Sequence, residues 1–332
     1  MSIAYLGTLS PADPLYDVLS CAVYPGTRAP VFHVERLCQR RLVYRYTEEE
    51  TQKAVVGKFF RRDDPDEGRV ARKKSEFRNL IRLRYLGFNT RPHSVVNPVS
   101  RDWRIGLAVA EDYVPGPDLD HYLRAAVWGG REEALRRVLA NLASFLYALH
   151  SRTAQRTAAG VDDVGRYYAR IVLTLERQTV LPRDRVADYL ALKDTWLERP
   201  CMSGEPVTVH GDATPTNFLF PNARDVVAID LERMKSADRV FDIGMVCGEL
   251  KHAFLWRTGH RHSSEPFIGH FLDQYASHFP SPRAALERIT RRVPFYMALT
   301  ELRIARNDWL DWEYRHRLAV EAHACLTQGL RL

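Results

Sequence analysis

Four polar side chains next to short apolar runs are of types that could bind a metal ion and a reacting hydroxyl group. His210 and Asp212 follow a β-branched run, Asn217 precedes an aromatic run, and Asp230 ends a third apolar run. Carboxylate and amide oxygens at strand ends suit a divalent cation. The alternative is a β-hairpin with a polar turn and a capping aspartate, but all four residue types would then occur at these positions by chance.

The spacing from His210 to Asn217 is His-x-Asp-x-x-x-x-Asn, the spacing of a kinase catalytic loop. In such loops the aspartate accepts the proton of the substrate hydroxyl and the asparagine binds magnesium. Gly211 stands where protein kinases have arginine, and Asp230-Leu-Glu232 stands in place of Asp-Phe-Gly. This combination resembles the aminoglycoside phosphotransferase and choline kinase-like family of small-molecule kinases.

The resemblance implies a role for each residue of this stretch. Asp212 and His210 form the catalytic set, in which Asp212 accepts the hydroxyl proton and His210 props the loop through hydrogen bonds. Asn217 and Asp230 are the Mg²⁺ ligands. Glu232 is a supporting acid that faces either the metal or the substrate.

The resemblance also implies an α+β fold with the two lobes of a protein kinase. A five-stranded antiparallel sheet with one helix forms the N-lobe, a mostly helical C-lobe carries the catalytic loop and acceptor pocket, and the active site lies between them. We predict an irregular leader at 1–30 with a short helix around 15–20, a nucleotide-binding N-lobe at 31–114 and a C-lobe at 115–332. Strand-like runs in the first part and helical periodicity in the second agree with this division.

Lys58 lies on the third predicted strand of the N-lobe. By the resemblance it is the lysine that pairs with the α- and β-phosphates, although a lone lysine on a strand could also be solvated. Glu76 is the only acid in the helix predicted at 69–86 and is the candidate partner of Lys58. The alternative is an ion pair within its own helix, with Arg72 or Lys73.

The turn over the nucleotide phosphates lacks the glycines that such turns often have. Arg40 and Arg41 of this turn could contact phosphate oxygens through their side chains, or form a basic surface turn. This departure leaves the choice between ATP and GTP open. The hinge that would hydrogen-bond the base is, by resemblance, Asp112, Tyr113 and Val114.

The last helices of this family line the acceptor pocket. Asp308, Trp309 and Trp312 lie in a stretch that mixes acids and aromatic residues, and they could hold a cationic amine by charge and cation–π contact. The alternative is that both tryptophans pack the lobe and the acids are exposed.

The chain has 332 residues and a formal net charge of +7, with scattered basic residues. A diffuse positive field suits a nucleotide triphosphate, and no signature of a nucleic-acid-binding module accompanies it. Five widely spaced cysteines without Cys-x-x-Cys are typical of reduced thiols. With no secretory signal and no apolar run of roughly 18 residues, we expect a cytoplasmic protein without a membrane partner. The sequence does not indicate an oligomeric state.

The sequence therefore predicts an ATP- or GTP-dependent, Mg²⁺-assisted phosphotransferase. Its acceptor would be a hydroxyl of an aminoglycoside-like antibiotic, a sugar, choline or another metabolite alcohol. The net positive charge of the chain argues against a polycationic antibiotic as this acceptor. A nucleotide-binding pseudokinase or interaction module is one alternative, motivated by the glycine-free turn. A protein kinase is another, against which stand the missing Ala-Pro-Glu after Asp230 and the helical insert at 161–199.

Overall fold

The computed structural model describes residues 4–22, 24, 29–38, 41–155 and 160–331. The chain divides into two compact units, which we call the N-unit and the C-unit. The N-unit consists of Met1–Gly116 and Asp225–Met234, and the C-unit of Pro117–Arg224 and Lys235–Leu332. The first break falls close to the predicted hinge, whereas the assignment of Asp225–Met234 to the N-unit differs from the predicted boundaries.

The first part of the chain forms strands and two helices of the N-unit. In chain order these are β1 (Ala4–Thr8), α1 (Pro14–Ala22), β2 (Phe32–Arg36), β3 (Val43–Glu48), β4 (Ala54–Phe59), α2 (Glu67–Tyr85), β5 (His93–Val95), β6 (Pro98–Asp102) and β7 (Leu107–Asp112). The helix predicted at 69–86 is therefore present as α2, with bounds shifted by one or two residues, and Lys58 lies on a strand as predicted.

The main sheet of the N-unit has six antiparallel strands in the order β1-β2-β3-β4-β7-β6, not the predicted five. The sixth strand, β1, comes from the segment that was expected to be an irregular leader. Tyr5 and Leu6 of β1 are both exposed, and the pairing register shifts between Tyr5 and Gly7. The sequence of this edge strand therefore lacks the alternation of apolar and polar residues that predicts a strand with one buried face.

The short leader helix was predicted correctly. It forms α1, which buries Leu15 and Leu19 in a cluster with Phe32 and Tyr46 of the sheet. The segment thus contributes both an edge strand and part of the N-unit core, because burying these side chains removes apolar area from water.

The rest of the chain is mostly helical. It forms α3 (Leu119–Gly129), α4 (Glu132–Arg152), α5 (Asp162–Arg177), α6 (Val186–Leu197), β8 (Pro206–Val209), β9 (Phe218–Leu219), β10 (Val226–Ala228), β11 (Lys235–Asp238), α7 (Val240–Thr258), α8 (Glu265–Ser277), α9 (Pro282–Thr290), α10 (Val293–Ala305) and α11 (Trp312–Gly329). Of these, β10 belongs to the N-unit. In the described part of the chain, no helix has both the length and the apolar character to cross a bilayer.

Helices α7 and α10 of the C-unit pack closely because α7 has glycines on the face toward α10. A Cβ atom at Gly248 would lie 2.7 Å from the Cβ of Thr300, and one at Gly244 would clash with Tyr296. Only a residue without a side chain fits at such a separation. This packing fixes the position of Arg303, which lies one turn after Thr300 on α10.

Candidate active site

Lys58 of β4 is held by two carboxylates in the N-unit. Its Nζ lies 2.6 Å from Oε1 of Glu76 on α2 and 2.8 Å from Oε1 of Glu111 on β7. The predicted Lys58–Glu76 pair is therefore present, and the alternative of a solvated lysine is wrong. Glu111 was not predicted as a partner. Because β4 and β7 pair with Lys58 opposite Val109, Glu111 lies two residues along the same face, which only the strand register reveals.

Burial controls the electrostatics of this cluster. It raises the pKa of Glu76 to about 8, although Lys58 opposes the shift, and it raises the pKa of Glu111 as well. Burial alone would lower the pKa of Lys58, but Glu111 and Glu76 outweigh it and hold that pKa above its ordinary range. Two buried carboxylates thus share one lysine, so full ionisation of both is costly.

Asp230 follows β10, which pairs in parallel with β5. Its backbone lies in the left-handed region (φ 59°), which is uncommon for a residue with a side chain. The turn after it is fixed to α2, because Asn79 Nδ2 donates a hydrogen bond to the Leu231 carbonyl at 2.8 Å. The neighbouring Glu232 has a raised pKa, caused by burial and then by Asp230. Asp230 is therefore a positioned carboxylate with a second acid next to it.

The glycine-free turn contacts Asp230. Arg41 Nη1 lies 3.2 Å from Asp230 Oδ2, so this guanidinium pairs with the predicted metal ligand. The Arg41 side chain is 61% exposed, which makes the pair weak and easily exchanged. Arg40 lies outside the described residues.

The predicted hinge uses two of its N–H groups within the N-unit. The Asp112 N–H donates to the Asn97 carbonyl at 2.9 Å, and the Tyr113 N–H donates to the Ala54 carbonyl at 3.0 Å. These two donors are therefore engaged by the sheet and do not fit the predicted contact with a base. The Val114 N–H and the carbonyl groups of the segment are the groups that could serve it.

Asp242 fixes the catalytic loop in the C-unit. It lies in the first turn of α7, after the N-cap position, and its carboxylate accepts hydrogen bonds from the N–H groups of His210 (2.7 Å) and Gly211 (3.0 Å). The buried His150 contacts the same carboxylate through Nε2 at 3.2 Å. Gly211 has a φ of 77°, which a glycine adopts without strain. Asp242 therefore stabilises the loop through its backbone N–H groups.

The side chains of His210 and Asn217 stabilise the loop from within. The Asp212 N–H donates to His210 Nδ1 at 3.3 Å, and Asn217 Nδ2 donates to the Asp212 carbonyl at 2.9 Å. His210 is fully buried, so its place in the catalytic set is that of a support. Because the Asn217 nitrogen is bound to the loop, its Oδ1 is the atom that a cation could use.

Arg303 of α10 contacts the predicted base and was missed by sequence reasoning. Its Nη1 lies 2.7 Å from Asp212 Oδ1, and its Nη2 lies 3.4 Å from Glu249 Oε1 of α7. Burial would lower the pKa of Arg303, but Asp212 and Glu249 outweigh it and raise that pKa. Burial raises the pKa of Glu249 to about 7. Arg303 lies among apolar residues of an amphipathic helix, and no residue near it in the sequence indicates that Asp212 is its partner.

The predicted acceptor residues divide into two groups. Trp309 lines a cavity of about 440 Å³ that Arg303 also lines. Trp312 instead donates its Nε1–H to the Thr179 carbonyl at 2.9 Å and is stacked on His316, while Asp308 is not among the residues that line the cavity. The structure thus places Trp309, but neither Trp312 nor Asp308, at this cavity.

The oxygen atoms of Asn217 and Asp230 suit Mg²⁺, a hard cation that usually takes one or two protein ligands together with waters and phosphates. No group of three or more histidine, cysteine, aspartate or glutamate residues that could hold a metal occurs in the described part of the chain. Each of these two oxygen donors is therefore of the type that a magnesium ion takes together with water or phosphate ligands.

Comparison with known proteins agrees with the catalytic-loop geometry. The sequence profile of the phosphotransferase enzyme family, known as APH, matches residues 39–288. The chain belongs to this family. No curated protein matches the sequence of this phosphotransferase.

Solved structures share the fold of this phosphotransferase. An ethanolamine kinase of Plasmodium vivax has a TM-score of 0.64 at 10% identity, covering 96% of this chain and 86% of that chain. The streptomycin–ATP ternary complex of APH(2″)-IIa has 0.56 at 14% identity, with 96% and 97% covered. The choline kinase LicA of Streptococcus pneumoniae has 0.54 at 17% identity, with 95% and 98% covered. The predicted α+β, protein-kinase-like fold is confirmed.

Proposed function

We propose that this phosphotransferase transfers the γ-phosphoryl group of ATP or GTP to a hydroxyl group of a small molecule, assisted by Mg²⁺. The observation that carries the proposal is the fixed position of the Asp212 carboxylate. Asp242 holds the loop backbone, and Arg303 holds the carboxylate itself. A carboxylate fixed in this way can accept the proton of a bound hydroxyl group. The ethanolamine kinase, the choline kinase and the streptomycin–ATP complex described above support a small alcohol as acceptor.

The proposed reaction moves one phosphoryl group and one proton. The acceptor oxygen forms a bond to the γ-phosphorus, its proton passes to an Asp212 carboxylate oxygen, and the bond from the γ-phosphorus to its bridging oxygen breaks. The nucleoside diphosphate then leaves. Positioning and charge stabilisation account for most of the rate enhancement in such reactions.

The remaining residues bind and orient the nucleotide. Lys58, which Glu76 and Glu111 hold in place, would direct its ammonium group toward the α- and β-phosphates. Asn217 and Asp230 would bind Mg²⁺, which offsets the phosphate charge when bound. The exposed Arg41 guanidinium would release Asp230 when Mg²⁺ binds.

The Arg41–Asp230 contact favours one other candidate function. An arginine on the candidate metal ligand, in a turn without glycines, would suit a protein that binds nucleotide but transfers no phosphate. Such a module would bind ATP or GTP and show no Mg²⁺-dependent turnover with any acceptor.

The test is a transfer assay with γ-labelled ATP or GTP, Mg²⁺ and pooled sugars, amino alcohols and aminoglycosides. We expect label in a small molecule, and we expect Asp212→Asn to lower turnover by at least about 100-fold while nucleotide binding persists. Asp273→Asn, at an exposed position of α8, is the matched control and should keep full activity. Label found in protein would support a protein kinase, and nucleotide binding without transfer would support the module.

A further inference from the structure

The C-unit has a cavity of about 440 Å³ directly beside the catalytic loop. Thr214 and Thr216, which follow Asp212 in the loop, line it, and so does Arg303, which contacts Asp212 at 2.7 Å. Its volume lies within the range of small-molecule sites. If the proposed function holds, this cavity is where an acceptor hydroxyl can reach the Asp212 carboxylate.

Each acid that lines the cavity already has an arginine partner. Asp120 Oδ1 lies 2.5 Å from Arg257 Nη2, and Glu249 lies 3.4 Å from Arg303. Both arginines line the cavity themselves. An ammonium group entering this cavity would therefore meet two guanidinium groups and no carboxylate that lacks a cation. To bind a carboxylate here, an ammonium group would have to displace an arginine from its partner, and its own loss of hydration would otherwise be uncompensated.

Burial changes the charge of two groups in the wall, His252 and Glu249. Burial lowers the pKa of His252 to about 4, so this imidazole is neutral, and it lies 2.8 Å from the Tyr314 hydroxyl. Burial raises the pKa of Glu249 to about 7, so part of its negative charge is lost as well. His252 therefore offers no charge to a cationic acceptor, and the charge of Glu249 is shared with Arg303.

The rest of the wall is neutral and suited to a hydroxylated ring. Trp256 and Trp309 are 48% and 56% exposed, which leaves flat apolar faces beside the cavity. Thr214, Thr216 and Asn307 add hydroxyl and amide groups that can both donate and accept hydrogen bonds. Large aromatic faces with a few neutral polar groups are typical of sites that bind neutral polar ligands.

We infer that the acceptor is a neutral polyhydroxylated ring, a sugar or glycoside without an amino group, which packs on Trp256 and Trp309 and presents a hydroxyl to Asp212. The inference rests on the proposed function and narrows its acceptor class. A cationic amino alcohol is the alternative, because tryptophan faces also attract cations. Arg257 and Arg303 on the same wall oppose that alternative.

The decisive experiment compares acceptors that differ by one amino group, with the wild-type protein, Mg²⁺ and the preferred nucleotide. Matched pairs of hexoses and amino-hexoses, and of neutral glycosides and aminoglycosides, are assayed for kcat/KM at pH 7.5. We expect the neutral member of the preferred pair to be favoured by at least about tenfold, which corresponds to about 1.4 kcal/mol. Quenching of tryptophan fluorescence by the neutral sugar, measured without nucleotide, should follow the same preference.

A variant tests the reason for the preference. Arg257→Met leaves the Asp120 carboxylate with less compensation and should raise the kcat/KM of the amino member relative to its neutral partner by about tenfold. Arg261→Met is the matched control, since Arg261 pairs with Glu321 and does not line the cavity. Its ratio should equal that of the wild type. Thermal denaturation checks that both variants are folded.

Three outcomes would contradict the inference. A wild-type protein that prefers the amino member overturns it while leaving the proposed function intact. A folded Arg257→Met variant with an unchanged ratio removes the charge argument. Transfer to none of these acceptors overturns the inference, while transfer in the assay with pooled acceptors would still support the proposed function.

Discussion

Arg303 Nη1 of α10 lies 2.7 Å from Asp212 Oδ1 of the catalytic loop, and both side chains are nearly buried. This ion pair links α10, which lines the cavity beside the catalytic loop, to the residue that would accept the hydroxyl proton. Under the proposed function Arg303 would be a positioning residue, since it would act on the reaction through Asp212.

Replacement of Arg303 should separate positioning from folding. Arg303→Met leaves Asp212 and Glu249 as buried acids without their cation, and breaking such a pair costs about 3–5 kcal/mol of unfolding free energy. In the folded fraction we expect kcat to fall by about 10–100-fold with little change in nucleotide affinity. Denaturant unfolding, steady-state kinetics and nucleotide titration measure the three quantities.

The conservative variant decides whether position or only stability is affected. Arg303→Lys keeps the charge but loses the planar fork that contacts Asp212 and Glu249 together. It should recover most of the stability and only part of kcat. Full kcat in a stable Arg303→Met protein would contradict the positioning role.

Loss of Lys58 should affect both stability and nucleotide binding. Lys58→Ala leaves the carboxylates of Glu76 and Glu111 buried together without a cation, so we expect destabilisation of about 3–5 kcal/mol and loss of measurable nucleotide affinity. Lys53→Ala changes an exposed lysine just before β4 and serves as the control. Calorimetric titration with Mg²⁺ and nucleotide is the measurement, and unchanged affinity in Lys58→Ala would exclude Lys58 from the nucleotide site.

Glu249 should make the stability of the protein depend on pH. Its pKa is about 7 in the folded protein against an ordinary value of 4.5, so the folded state binds the proton more tightly than the unfolded state. The resulting stabilisation is complete below pH 4.5 and is lost as the pH rises through 7, a change on the order of 1–3 kcal/mol. We therefore expect the free energy of unfolding to fall over this interval.

The variant Glu249→Gln isolates this contribution. Glutamine has the shape of the protonated acid but does not titrate, so the difference in unfolding free energy between wild type and variant should shift in favour of the variant as the pH rises. Glu313→Gln, at an exposed position of α11, should show no such shift. Urea unfolding from pH 5 to 8 provides the comparison, and parallel curves for wild type and Glu249→Gln would contradict the assignment.

Removal of Arg41 should strengthen Mg²⁺ binding. Arg41→Gln removes the guanidinium that pairs with Asp230, so a cation no longer competes with it. Because Arg41 is largely exposed, we expect the Mg²⁺ concentration that half-saturates nucleotide binding to fall by only about two- to threefold. Arg69→Gln, which breaks pairs with Asp64 and Asp66 instead, is the control. A rise in that concentration would show that Arg41 helps to bind the phosphates.

The features that could be predicted from the sequence are those whose residues lie close together along the chain. The spacing of His210, Asp212 and Asn217 is a property of one loop, and the Lys58–Glu76 pair follows from a strand and the helix after it. Arg303 and Glu111 could not be predicted, because their partners are set by helix packing and strand register between distant segments. The strand β1 escaped prediction for another reason, since its exposed residues lack a periodic pattern.

The glycines of α7 have a consequence for how variation in this enzyme would be interpreted. Helix α7 carries Asp242 and Glu249, and its glycine face sets how near α10 can approach. A methyl group added at Gly248 would push the two helices apart and move Arg303 away from Asp212. Activity could then be lost through a substitution that alters no charge, no hydrogen-bonding group and no atom in contact with a substrate.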